Sequence, residues 1–331
     1  MKNNSPIAIF TYNRPNHARM LFESLLNCAR LDECDLHIFC DGLGSSEHAA
    51  NVQASRQVVR EFAPRLNAVR VIEHDKNLRL AGSIVYGVTE LCAQYGRVIV
   101  LEDDLILHPF FLDFMLQALD RYQDEERVAQ VMGFTFPGKL STDSDAFFLP
   151  FTSSWGWATW QRAWSSYSPD VKPALELLDA DPQLRFRFDL DGTYHNTIEL
   201  RRISQDKLDT WDYQWYWSVF SANKFALFPR RSLVWQNGLD ASGTHTKSEW
   251  YGLQPSLKKI LKEKWTSPVS FPVSVQTNEI AFDNLKNFYR LSFAPTFFVY
   301  WRRVIKLKIL RLVKKTGLPA WVIRAIDKNS K

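Results

Sequence analysis

The sequence predicts an α/β fold: a mostly parallel, Rossmann-like sheet flanked by helices, then an aromatic-rich second half and a basic amphipathic C-terminal helix. Three observations predict it. Over residues 1–135, short apolar runs alternate with segments of helical period, as parallel strands joined by right-handed helical crossovers require. These apolar runs end in polar motifs, and in a parallel sheet such strand ends converge on one edge. The run RVIVLEDDLILHP (97–109) carries a short apolar strand, 98–101, straight into three carboxylates, Glu102, Asp103 and Asp104.

Taken in order, 6–10 is a short apolar strand ending at TYNRP, and 17–30 is helical with Met20, Leu21, Leu25 and Cys28 on one side. A second strand, 36–40, ends at Asp41-Gly42. Residues 46–62 form a polar helix with Ser45 or Ser46 as its N-cap. Residues 68–73 are a third strand, 81–94 a helix and 98–101 the strand that feeds the carboxylates. The helix 109–122 is opened by Pro109, and 128–134 is a further strand. Beyond residue 140 the texture changes: FFLPFTSSWGWATWQRAW has no clean period. Residues 173–220 read as helical, broken near Asp191-Gly192, with short strands at 225–228 and 232–235. There is no repeat and no flexible linker. The expected organisation is a first half (1–140), a second half of the same domain (141–250) and a C-terminal helical extension (251–331).

With 46% hydrophobic and 23% charged residues, the 331-residue chain has ordinary globular composition. A net charge of +5 is too modest to indicate nucleic acid. Cys28, Cys34, Cys40 and Cys92 match no zinc spacing and no disulfide scaffold, which points to a reducing cytoplasm. No signal-like leader is expected at the N-terminus, and no stretch reaches the roughly 18–20 apolar residues that span a bilayer. The 12 Trp and 23 Phe suit sugar stacking or a membrane edge. In FFVYWRRVIKLKILRLVKK (297–315), Phe298, Trp301, Ile305, Ile309 and Leu312 share a helical face amid basic residues. That helix either lies peripherally on the inner face of an anionic membrane or docks on the domain.

The strand-end motifs carry the chemistry. TYNRP supplies Thr11, Asn13 and Arg14, and a planar guanidinium suits a diphosphate. Asp41 follows the second strand, and Asp75 and Asn77 follow the third. An aspartate can accept the imide N–H of uracil. Glu102, Asp103 and Asp104 offer hard oxygen ligands, which favour Mg2+ or Mn2+. The alternatives are a solvated turn for the triplet and an ordinary turn or loop for the other motifs.

These residues resemble the GT-A fold glycosyltransferases, most closely bacterial enzymes (glycosyltransferase family 2-like) related to N-acetylglucosaminyltransferase I. The likeness covers residues 6–246. It implies a metal-dependent, inverting transfer of a hexose or N-acetylhexosamine from a UDP-sugar to a glycan or lipid-linked hydroxyl in bacterial surface polysaccharide synthesis, lipopolysaccharide included. On this resemblance Asp104 is a metal ligand, and His245 of GTHT a second ligand or a phosphate contact. Thr11, Asn13, Arg14, Asp41, Asn77, Glu102 and Asp103 hold the nucleotide-sugar. Trp211-Asp212 supplies the catalytic base, Asp212, with Asp209 as a fallback, since Tyr213 stands where the relative has a second aspartate. Trp155, Trp157 and Trp211 form either a sugar-stacking wall or a packed aromatic core, an ambiguity shared by Trp160, Trp215 and Trp217. Competing readings are a sugar nucleotidyltransferase, which the glycine-free TYNRP disfavours, and a non-catalytic sugar-binding protein.

Overall fold

A computed structural model describes residues 4–66, 68–140, 142–238 and 254–292. The strands are β1 (Ser5–Thr11), β2 (Cys34–Cys40), β3 (Val69–Glu73), β4 (Arg97–Glu102), β5 (Leu105–Leu107), β6 (Val128–Met132), β7 (Ala146–Leu149), β8 (Trp157–Trp160), β9 (Phe225–Pro229) and β10 (Val234–Gln236). The helices are α1 (Pro15–Leu25), α2 (Ala49–Phe62), α3 (Arg79–Tyr95), α4 (Phe111–Arg121), α5 (Gln161–Trp164), α6 (Lys172–Ala180), α7 (Pro182–Phe188), α8 (Asn196–Ser204), α9 (Asp212–Ser221), α10 (Leu257–Lys262) and α11 (Glu279–Ser292).

Eight strands form one sheet in the order β3-β2-β1-β4-β8-β6-β9-β7, and β10 pairs with β5 in a separate antiparallel ribbon. The strands β3-β2-β1-β4 are parallel throughout, as expected from the alternating pattern. Beyond β4 the sheet is mixed, because β8 inserts antiparallel between β4 and β6. Strand order reverses between β1 and β4: the chain winds outward through β2 and β3, then returns to the other side of β1. A crevice opens at such a reversal, outside the carboxyl ends of the strands.

Local sequence accounts for the element boundaries. The chain leaves α3 through Gly96, whose φ of +78° is costly for any residue with a Cβ. Ser45, rather than Ser46, caps the short 3-10 turn 46–48 that leads into α2, its side chain accepting from the Glu47 amide at 3.4 Å. Pro109 does not open α4: the helix begins at Phe111. The Pro109 carbonyl instead accepts from the Ala29 amide at 2.9 Å.

The main core is one continuous cluster running through both halves, and Ile106, Trp235 and Ile260 form a small second one beneath α10. The aromatic segment after residue 140 is built into it as strands β7 and β8, buried along their whole length. Trp157 and Trp211 stack at 4.8 Å, with Trp164 and Trp215 packed alongside. Helix α11 joins the same core: Leu285 is buried, Phe288 meets Phe136 at 5.2 Å and Tyr289 stacks on Tyr194 at 4.3 Å. The described part of 251–331 therefore packs on the domain. The segment 297–315 lies outside the described residues, among which no helix is long and apolar enough to cross a membrane. All four cysteines are buried and free, and burial pushes the Cys28, Cys34 and Cys92 thiols up to about 12. None of these is poised as a thiolate nucleophile.

His108 joins β5 to α10. Its Nδ1 accepts from the Phe110 amide at 3.0 Å, which leaves Nε2 as the donor to the Glu263 carbonyl at 3.1 Å. Burial holds its pKa below the ordinary 6.5, against the pull of Glu263. Below 6.5 this imidazole thus binds its proton more readily in the unfolded chain than in the folded one, so its contribution to stability falls as pH drops. The thermal midpoint should begin to decline as pH falls below about 6.5, and His108→Gln should make that decline shallower, with buried His37 supplying a part that remains.

Candidate functional site

Parallel pairing of β1 with β4 sets Phe10 opposite Glu102, so the chain segments beyond both residues emerge side by side. Asp103 and Asp104 form the tight turn between β4 and β5, and both are buried. The Arg14 guanidinium, just before α1, spans the pair: Nη2 donates to Asp103 Oδ1 at 2.5 Å and Nη1 to Asp104 Oδ2 at 2.8 Å. Burial works against the Arg14 charge, but the fields of Asp103 and Asp104 outweigh it and hold its pKa above the ordinary value. The Tyr12 amide lies 3.4 Å from Asp103 Oδ2. Burial pushes the Asp103 carboxyl up against the opposing pull of Arg14. It pushes Glu102 further up, and Asp104 adds to that effect.

A second chain segment closes the turn. After β10, the Asn237 amide donates to the Asp104 carbonyl at 2.7 Å. Gly238 lies so close that an added Cβ would sit 2.3 Å from Asp104 Oδ2 and 3.0 Å from Arg14 Nη1. This segment is fixed by paired glutamines. The Gly238 amide donates to Gln236 Oε1 at 2.8 Å. Gln254 imitates a strand partner of Gln236, accepting from its amide at 3.1 Å and donating to its carbonyl at 2.7 Å. Neither Gly238 nor Gln254 was expected from the sequence.

The remaining donor-side residues sit at successive strand ends. Asp41 is buried, and its Oδ1 accepts from the Gly42 and Leu78 amides, both at 2.8 Å. Asn77 donates from Nδ2 to the Gly42 carbonyl at 2.7 Å and accepts at Oδ1 from Arg79 at 3.2 Å. Both side chains therefore brace the loops after β2 and β3. Asp75 is exposed, Asn13 half-buried and Thr11 buried as the last residue of β1. Tyr12, whose place in TYNRP was its only signal, is held by His48 Nδ1 at 3.0 Å and the Gly44 amide at 3.2 Å, both on its hydroxyl.

Asp212 opens α9, where the helix dipole favours a carboxylate. The Thr210 hydroxyl donates to its Oδ1 at 2.5 Å. Four tyrosines gather round it. Burial pushes up the phenols of Tyr167, Tyr194, Tyr213 and Tyr289, and the Asp212 charge adds to each shift. The same charge adds, less than Asp104 and Asp103 do, to the rise at Glu102. The fallback, Asp209, is half-buried in the approach to α9.

Trp157 and Trp211 are fully buried against each other, and Trp155 meets Phe134 edge-on at 4.5 Å. Packed aromatic core, rather than an open stacking wall, describes Trp157 and Trp211. The same holds for Trp160 and Trp215, while Trp217 is half-buried against Phe188. His245 lies outside the described residues. A small cavity of about 70 Å3 between α10 and the loop after β6, lined by Phe136, Leu140, Arg230, Arg231, Lys259 and Ile260, shares no residue with the cluster.

Among the described residues no group of three His, Cys, Asp or Glu is arranged to hold a metal ion. The donor chemistry at the turn nevertheless fits a hard divalent cation. Asp104 Oδ1 is buried without a hydrogen-bond partner, an arrangement that is costly unless something positive meets it. Asp104, with oxygens from Asp103 or a ligand, would hold such an ion.

No protein-family model matches the sequence, and no curated protein matches it. Several solved structures are similar. The 1–349 fragment of S. aureus TarS is 12% identical over 72% of this chain and 61% of its own, with a TM-score of 0.41. Mouse xyloside xylosyltransferase 1 is 12% identical over 70% and 97%, with a TM-score of 0.37. The mannosyltransferase PcManGT from Pyrobaculum calidifontis, in complex with GDP-Man and Mn2+, is 11% identical over 98% and 79%, with a TM-score of 0.43. This chain thus spans about three fifths of the TarS fragment. Likeness at this level transfers no residue's role.

The closeness of Gly238 to the ion pair is directly testable. Gly238→Ala should destabilise the fold by about 1–3 kcal/mol in denaturant unfolding, because Asp104 or the loop must move.

Proposed function

We propose that this chain is a metal-dependent, inverting glycosyltransferase. The observation that supports it most is the Arg14–Asp103–Asp104 cluster at the strand reversal, with Asp104 Oδ1 buried and unpartnered beside it. Fixed positive charge and hard oxygen ligands suit a nucleotide diphosphate. A separate carboxylate opening α9 suits a base for the incoming hydroxyl.

On this reading Asp212 takes the proton of the acceptor hydroxyl as that oxygen attacks the anomeric carbon. The bond from that carbon to the diphosphate oxygen breaks on the opposite face. Thr210 orients the Asp212 carboxylate, and Arg14 meets the charge left on the diphosphate. A cation held by Asp104, Mg2+ or Mn2+, would supply Lewis-acid stabilisation of that leaving charge. Asp41 and Asn77, fixed by backbone contacts, shape the base and ribose end. His245 is assigned to the diphosphate or metal. The donor is a UDP-linked hexose or N-acetylhexosamine, and the acceptor a glycan or lipid-linked hydroxyl in bacterial surface polysaccharide synthesis. The site would work at the inner face of the cytoplasmic membrane, held there by the basic 297–315 segment.

A thermal-shift screen of nucleotide-sugars with and without Mn2+ tests the reading, since a ligand that binds only the folded state raises the midpoint. A Mn2+-dependent rise with one donor is expected, and none with any donor would sink it. Asp212→Asn should cut transfer by about 10²–10⁴-fold while leaving the donor-induced shift in place. Asp104→Ala should instead abolish the Mn2+-dependent part of that shift.

A further inference from the structure

We propose that Arg14 makes the carboxylate cluster selective for a divalent cation together with a diphosphate, and against either one alone. The inference rests on the glycosyltransferase reading and adds a property of the same site.

The guanidinium occupies one oxygen of each aspartate, Asp103 Oδ1 and Asp104 Oδ2. Its surroundings hold it there: the side chain is 21% exposed, and Gly238 walls the Asp104 side. Of the carboxylate oxygens of Asp103 and Asp104, Asp104 Oδ1 is the one buried without a partner. Mg2+ and Mn2+ prefer about six oxygen ligands, and one carboxylate oxygen beside a fixed cation is a poor start. A bare cation must either displace the guanidinium, stranding a buried charge, or bind next to it against like-charge repulsion. A bare diphosphate meets the opposite obstacle, since Arg14 is engaged and Asp103 and Asp104 repel the anion.

The two together remove both obstacles. Phosphate oxygens offer the guanidinium fork a bidentate partner, so it can leave the aspartates without losing its pairing. The vacated carboxylate oxygens then face the cation, and the diphosphate supplies further oxygen ligands. Every ion pair that breaks is replaced by another. The coupling is reciprocal: the nucleotide must tighten the metal by the factor by which the metal tightens the nucleotide.

Calorimetry on the full chain tests this, titrating Mn2+, UDP and GDP singly and each nucleotide with Mn2+, corrected for Mn2+–nucleotide binding in solution. In the wild type, Mn2+ should bind at least about 10-fold more tightly with a nucleoside diphosphate present. Arg14→Met removes the competing charge and leaves two buried carboxylates. It should bind Mn2+ alone about 10-fold more tightly than the wild type, with coupling reduced to about 3-fold or less. Arg14→Lys, a point charge without the fork, should fall between. Equal wild-type affinity for Mn2+ with and without nucleotide overturns the proposal, even if Arg14→Met fails to fold. So does an Arg14→Met protein, folded by circular dichroism, that binds bare Mn2+ no more tightly. Metal-dependent nucleotide binding that survives with unchanged coupling in Arg14→Met sinks this inference alone. Absence of nucleotide binding under every condition sinks the glycosyltransferase reading with it.

Discussion

The parallel pairing of β1 with β4 is the constraint on which the site depends. It places two strand ends side by side where the strand order reverses, and the segments leaving them carry opposite charge. Arg14 and Asp103–Asp104 meet because the backbone hydrogen bonds between these strands fix the register. A slip of one residue would turn the strand faces over and separate the groups. The ion pair also answers the burial problem: two buried aspartates beside Glu102 are tolerable only with a cation among them.

The aromatic excess has a mechanical role. Trp157 lies on β8 and Trp211 immediately before α9, so their stacking joins the central sheet to the segment that presents Asp212. Rings bury large area with few rotatable bonds and therefore hold orientation well. The tyrosines around Asp212 extend that wall, with Tyr194 and Tyr213 hydrogen-bonded through their hydroxyls and Tyr289 brought in by α11.

The first half was legible because its strands are short apolar runs punctuated by polar turns, and its helices keep a clear period. β7 and β8 were not legible. A strand buried on both faces shows no alternation, and the aromatic segment concealed two of them. β5 is three residues long and follows the acidic turn too closely to stand out. At the site, the residue types at the strand ends were readable, but their engagements were not. Asn77 gives its amide to the Gly42 carbonyl, and Arg14 gives its fork to the aspartates rather than to solvent. Gly238 and Gln254 matter only through contacts between segments distant in sequence, and no local pattern signals these.

The paired amide bonds between Gln254 and Gln236 have an architectural consequence. They tie the residues before α10 directly to the end of β10, so the place of Gly238 against Asp104 is set by Gln254 as well as by the strand. Loss of the Gln254 amide would therefore be felt at the carboxylate turn, relayed through Gln236 and Gly238, although Gln254 itself touches neither aspartate.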